Sequence, residues 1–239
     1  MVREEKRAVP LPDTVIDRDS ADQFVLPLVV RIERTDPPRR TDALEAAARA
    51  VLELLHDPRS TDGEWAEAVR GWQQGRIRKV VRRARGAAWT RAEALPGLTV
   101  TMGTAEVRVH PPVPVDGWPP ELVKLQVGGT ELADPEPAAL PEPPAEVPVL
   151  WLNPGLEMTA GKAMAQVGHG AQLIWWASVR EERTRWAEAG FPLAARTPTA
   201  ADWAQLVTVG LPTVRDGGFT EIEPGSLTVV GDAPWLPTR

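Results

Sequence analysis

The alternation of apolar and polar residues follows two periods along this chain, and the same order of periods runs twice. From Phe24 to Ile32 an almost unbroken apolar run reads as a buried strand. From Thr41 to Leu55 the period lengthens to that of a helix. Leu44, Ala48, Val51 and Leu55 make its apolar stripe, and Thr41 or Asp42 is its expected cap. "DGEWAEAVRGWQQG" predicts a second helix closing on Gly75. A strand at Ile77–Arg82, a helix at Trp89–Leu95 and strands at Leu98–Met102 and Ala105–Val109 follow.

"DPEPAALPEPPAEVP", Asp134 to Pro148, breaks the pattern. Its six prolines predict an extended linker. Beyond it the order restarts. "VPVLWLN" is a strand, Thr159 to about Val179 a helix, and "EERTRWAEAG" a helix ending at Gly190. "FPLAART" is a strand and "TAADWAQLVTVG" a helix capped by Thr199, before strands in "LPTVRDGG" and "SLTVVGDAP". Local echoes accompany the shared order. "PLVVRI" parallels "PVLWLN", and "KVVRRARGAAWTRAEALPGLTV" parallels "LAARTPTAADWAQLVTVGLPTV". We read an internal duplication: a polar tail over 1–20, an α/β domain over 21–132, a linker over 133–148 and a second α/β domain over 149–239.

Composition narrows the chemistry. The chain has 239 residues and no cysteine, which excludes disulfides and thiolate metal sites. The three histidines, His56, His110 and His169, are too scattered to suggest zinc, which leaves a carboxylate-rich site for a hard cation as the open metal chemistry. The start, "MVREEKRAVPLP", has no apolar signal core, and no apolar run is long enough to span a bilayer. A cytoplasmic protein without membrane contact is expected. A net charge of −6 argues against a polycationic nucleic-acid binder, but Arg76–Arg91 carries seven basic residues and no acidic one. Such a stripe is either a solvated surface or a local phosphate contact.

Candidate chemistry concentrates in "MTAGKAMAQVGHG", Met158 to Gly170. A Walker A loop is excluded, because five residues separate Gly155 from Gly161 and Ala163 follows Lys162. On a helix, Lys162, Gln166 and His169 share one face, while Ala163, Val167, Ala171 and Ile174 share the opposite one. Gly161, Ala165, Gly168 and Gly170 leave space beside the polar row. From the pattern alone this row is either a solvated stripe or the wall of a site. The second cluster is "RDGGFTE", where Asp216 ends a strand and Thr220 follows a glycine turn. It reads equally as a plain hairpin.

Together the two clusters resemble the type II peptidyl-tRNA hydrolases. That family's helix motif, M-x-x-G-K-x-x-A-Q-x-x-H, stands here as Met158, Gly161, Lys162, Ala165, Gln166 and His169. Its second motif, D-A-G-x-T-Q-I-x-P-G-S/T, stands as Asp216, Gly218, Thr220, Ile222, Pro224, Gly225 and Ser226. The resemblance covers Pro148 to Pro234. It implies a four-stranded mixed sheet with helices on both faces, in each of two pseudo-repeated domains. It also implies hydrolysis of the ester between a peptide and the 3′ ribose of tRNA, with no metal and no cofactor. Lys162, Asp216 and Thr220 match the proposed catalytic residues. Gln166, His169, Gly161 and Glu221 are the expected substrate contacts.

Two departures from the motifs stand out. Asn153-Pro154-Gly155-Leu156 replaces the usual Arg-x-Asp-Leu, and Glu221 replaces a glutamine, an extra anion expected to disfavour a tRNA phosphate. In the first half, Asp42, Ala46 and Arg49 correspond to Lys162, Gln166 and His169. "TVTMGTAEV" offers no aspartate for Asp216, so this copy is expected to be catalytically silent. The resemblance implies homodimers. A fused copy would replace the partner, giving a monomer with an intrachain pseudo-dimer, with a homodimer as the alternative. Arg76–Arg91 would then supply a tRNA contact. Two other functions fit the same residues: a non-catalytic RNA- or protein-binding module, and a hydrolase of another ester or amide.

Overall fold

The computed structural model describes residues 23–136, 140–218 and 221–237. The tail assigned to 1–20 and the central part of the proline-rich linker lie outside them. Among the described residues, no helix is long and apolar enough to cross a membrane.

The first half runs β1 (Phe24–Arg31), α1 (Arg40–His56), α2 (Pro58–Thr61), α3 (Ala66–Gln74), β2 (Arg78–Ala84) and α4 (Gly86–Glu93). It continues with β3 (Leu98–Met102), β4 (Ala105–Val109), β5 (Val113–Pro114) and α5 (Pro120–Val123). The second runs β6 (Val149–Leu152), α6 (Ala160–Ala177), α7 (Arg180–Glu188), β7 (Ala194–Arg196), α8 (Ala200–Leu206), β8 (Thr213–Arg215) and β9 (Leu227–Asp232). The sheets have the same plan. One is ordered β2-β1-β4-β3 with β5 added beside β1, the other β7-β6-β9-β8. In each, the first two strands of the half in chain order pair in parallel and the remaining pairs are antiparallel. The expected α/β pseudo-repeat of mixed sheets flanked by helices is therefore present.

The two halves share one core. Leu28, Leu52 and Val107 of the first and Leu150, Ile174 and Val229 of the second belong to the same buried cluster. Each such side chain contributes roughly 1.5–3 kcal/mol when fully buried. Helices α1 and α6 pack against one another at its centre. Small residues permit the close approach: Ala43, Ala46, Ala47 and Ala50 on α1, and Ala163, Gly168 and Ala171 on α6, are all buried.

Several local expectations change. The N-cap of α1 is Arg39, with no side-chain cap, because the two expected caps have tertiary partners. Thr41 donates from its backbone N and its Oγ1 to Asp134 (2.9 and 2.7 Å), and Asp42 accepts from Thr104. Strand β2 extends to Ala84 rather than stopping at Arg82, and α4 begins at Gly86 rather than Trp89. The short elements α2, β5 and α5 carry too few residues to show a period.

Candidate active site

The site begins with the way α6 starts. Thr159 caps the helix, its Oγ1 accepting from the Lys162 backbone N at 3.3 Å. Glu221, on the loop after β8, takes both remaining Thr159 donors, the backbone N at 2.9 Å and Oγ1 at 2.7 Å. The carboxylate at the position expected to carry an amide is thus bound to the N-terminal end of α6, where a negative charge is favourable.

One helical turn fixes the next residues. Lys162 Nζ donates to Asp216 Oδ2 at 2.5 Å, and Gln166 Nε2 donates to the same oxygen at 2.7 Å. The Lys162 and Asp216 side chains are 10% and 6% exposed. Gln166 is oriented from behind, since its Oε1 accepts from Thr228 Oγ1 on β9 at 2.6 Å. Asp216 is held by its own loop. Its backbone N donates to Ser226 O and its carbonyl accepts from Gly225 N, at 2.9 and 2.8 Å. Its Oδ1 accepts from Gly218 N at 2.7 Å. Gly218 has φ 74°, and a Cβ there would run into Pro224. Thr220 lies outside the described residues.

These groups open onto a cleft of about 750 Å³ that both halves build. Lys162, Gln166, His169 and Asp216 line one side, and Arg76, Arg78 and Lys79 of β2 and the turn before it line the other. His169 is half-buried, with Nδ1 3.1 Å from Lys79 Nζ. Burial, then the charges of Lys79 and Lys162, push its pKa well below the usual histidine range, so its ring is neutral. Burial likewise pushes the Lys79 amine well below its ordinary value. A shallower hollow of about 500 Å³ lies on the other side of Glu221, with Glu157 and Glu223 in its lining.

The structure brings Lys162, Gln166, His169, Asp216, Glu221 and Gly161 to this one cleft. Gly161 has a second contact, its N donating to Thr130 Oγ1 at 3.0 Å. A Cβ at Gly161 would lie 2.8 Å from that oxygen, so the glycine also admits the first half. Of the basic segment, Arg82 donates to the carbonyls of Val123 and Leu125 and stacks on Trp118, and Arg83 donates to Gly128 O and Gln126. Those two guanidinium groups hold the 118–128 segment, while Arg76, Arg78 and Lys79 face the cleft. Asn153 donates to Leu227 O and accepts from Gly155 N, bracing the loop after β6.

In the first half the equivalent place is closed. Asp42, in the first turn of α1, accepts from Thr104 N and Oγ1, both at 2.7 Å, at the tight β3–β4 turn. Arg49 pairs with Glu53 at 2.8 Å. Lysine, amide and aspartate are all replaced there.

Sequence reasoning missed Thr228 and Lys79. Both left a signal: a threonine inside the apolar strand "LTVVGD", and a lysine in phase with buried Val81 on β2. Among the described residues, no group of three His, Asp or Glu side chains is placed to hold a metal.

No family model matches the chain. It is 29% identical to the peptidyl-tRNA hydrolase of Sulfurisphaera tokodaii, over 36% of this chain and 83% of that protein. It is 31% identical to the peptidyl-tRNA hydrolase of Thermococcus onnurineus, with the same coverage of each. Through this region of about a third of its length, which spans most of those relatives, the chain belongs to the peptidyl-tRNA hydrolase family.

Proposed function

We propose that the chain hydrolyses the ester joining a peptide to the 3′ ribose of tRNA, in the cleft beside α6 and without a metal. The observation that carries this reading is the Asp216 carboxylate, nearly buried and held by Lys162, Gln166 and Gly218 at the wall of a cleft. Among the described residues Oδ2 receives two donors and Oδ1 one, and an oxygen that accepts once has a second lone pair suited to a water molecule. Asp216 takes a proton from that water, directly or through Thr220, and the water oxygen attacks the ester carbonyl. Lys162, held beside Asp216, donates to the oxyanion as charge develops. The intermediate then expels the ribose oxygen, which receives the proton held by Asp216. Gln166, fixed by Thr228, keeps the carboxylate in place.

Turnover of an N-acetylaminoacyl-tRNA tests this. Asp216→Asn keeps the shape but not the base, and a loss of at least about 100-fold is expected. Lys162→Met is expected to lose activity by a similar factor. Full turnover in either variant would sink the assignment.

A second reading, a non-catalytic RNA-binding module, is favoured by the closure of the Lys162–Asp216–Gln166–Thr228 network, which would also suit a rigid binding wall. It predicts tRNA binding with no turnover even at high protein concentration.

A further inference from the structure

The cleft contains a lysine that the catalytic scheme does not use. Lys79 is 8% exposed and comes from β2, in the half without the family motifs. Its Nζ donates to Gln172 Oε1 at 2.6 Å, lies 3.1 Å from His169 Nδ1 and sits 4.7 Å from the centroid of the Trp72 ring. Among the described residues no carboxylate pairs with it. The pseudo-symmetric crossing is built differently. Where α1 meets β7, Arg196 donates to Glu45 at 2.9 Å, so that part-buried cation has its anion. Where α6 meets β2, an amide, an imidazole and an indole face stand in that position instead.

The sequence makes room for this arrangement. A Cβ at Gly168 would approach Lys79 Cδ and Val51 Cγ2 to 3.2 Å, so the glycine lets the lysine stem cross α6. The consequence falls on His169. As an ammonium, Lys79 has donors and no acceptor; in that state the Nδ1 that faces it is the unprotonated nitrogen, and the ring hydrogen resides on Nε2. His169 lines the cleft, and Nε2 is not among the buried polar atoms without a partner.

We propose that Lys79 is a positioning residue lent to the site by the other half of the chain: it holds His169 as the Nε2–H tautomer, and that N–H donates to a phosphate oxygen of the RNA. The identity of the RNA rests on the function proposed above, whereas the tautomer does not. A phosphate is the acceptor that fits, because an ammonium behind the ring strengthens the Nε2–H as a donor, and Arg76 and Arg78 line the same cleft.

Nitrogen-15 NMR of the full chain labelled at its three histidines reads the tautomer directly, with His169→Gln identifying the resonance. Expected is an Nε2–H ring that does not titrate between about pH 5 and 8. A ring protonated on Nδ1 would overturn the proposal in the wild-type protein alone. Lys79→Met keeps the stem and removes the charge. It should give mixed tautomers and a titration nearer the ordinary histidine range, with Lys79→Arg restoring the wild-type pattern. An unchanged His169 in Lys79→Met would also overturn it.

The ligand is tested with a short single-stranded RNA ending in CCA, against the same RNA with neutral methylphosphonate linkages at its 3′ end. We expect about tenfold tighter binding of the charged RNA by the wild type, a preference lost in Lys79→Met and His169→Gln. Equal affinity for both RNAs in the wild type would refute the phosphate contact. If Asp216→Asn keeps full turnover, the catalytic reading fails while the tautomer and RNA results stand.

Discussion

His110, just past β4, is 2% exposed, and its Nδ1 lies 2.8 Å from the Pro96 carbonyl. A carbonyl only accepts, so Nδ1 carries the hydrogen. Nε2 is buried with no hydrogen-bond partner among the described residues. A proton there would place a charge in a site with no acceptor, and burial pushes the pKa down to about 4. An unfolded histidine titrates near 6.5. Above about pH 6.5 both states are neutral and the full stability is present. As pH falls from 6.5 towards 4 the unfolded chain takes up the proton first, and about 3 kcal/mol is lost. Denaturant melts across this range should show a shallower decline for His110→Asn, which keeps a donor towards Pro96 and does not titrate. Coincident slopes for the two proteins would contradict the assignment. His169, neutral for the same physical reason, adds a decline of the same sign to both.

Helix α6 shows what a glycine is for at the scale of an element. Alanine in place of a mid-helix glycine usually gains about 1 kcal/mol. At Gly170 a Cβ would meet Val229 Cγ1 at 2.8 Å and Leu150 Cδ2 at 3.0 Å, on the two central strands of its own sheet. Valine is stiff at χ1 and cannot swing aside. Gly170→Ala should therefore destabilise the protein by roughly 1–3 kcal/mol in equilibrium denaturation, and a gain in stability would show that the sheet yields instead. The helix itself was legible, because Lys162, Gln166 and His169 recur at its period and Ala163, Val167, Ala171 and Ile174 fill the opposite face. Strands β3 and β4 lie where their apolar, β-branched composition placed them, at Leu98–Met102 and Ala105–Val109. The α1 cap was not, since Thr41 and Asp42 turn to partners 93 and 62 residues away, and local propensity is blind to both. The candidate site divides in the same way. Lys162 and Gln166 follow from helix geometry, and Asp216 from its place at a strand end. Thr228 needed the sheet register, and Lys79 needed the docking of one half on the other.

That docking governs the whole molecule. Val51 of α1 packs beside Gly168 of α6, Glu45 of α1 holds β7 through Ala195 N and Arg196, and Lys79 of β2 reaches Gln172 of α6. Each half thus contributes to the other's buried surface, and the core cluster runs through both. The apolar layer between the two sheets takes side chains from both halves, so partial unfolding would expose the α1–α6 face. Unfolding should therefore be a single cooperative transition despite two sheets and a proline-rich connection. Amide hydrogen exchange distinguishes one unit from two, because the most protected amides of β1 and β9 should open with the same free energy. Val51→Asp puts a charge at the helix crossing and should lower protection in both sheets by the same amount, several kcal/mol by the cost of a buried unpaired carboxylate. Protection retained in β6 and β9 while β1 and β4 lose theirs would mean that the second half folds alone. In that event the first half would serve the site only as a removable neighbour.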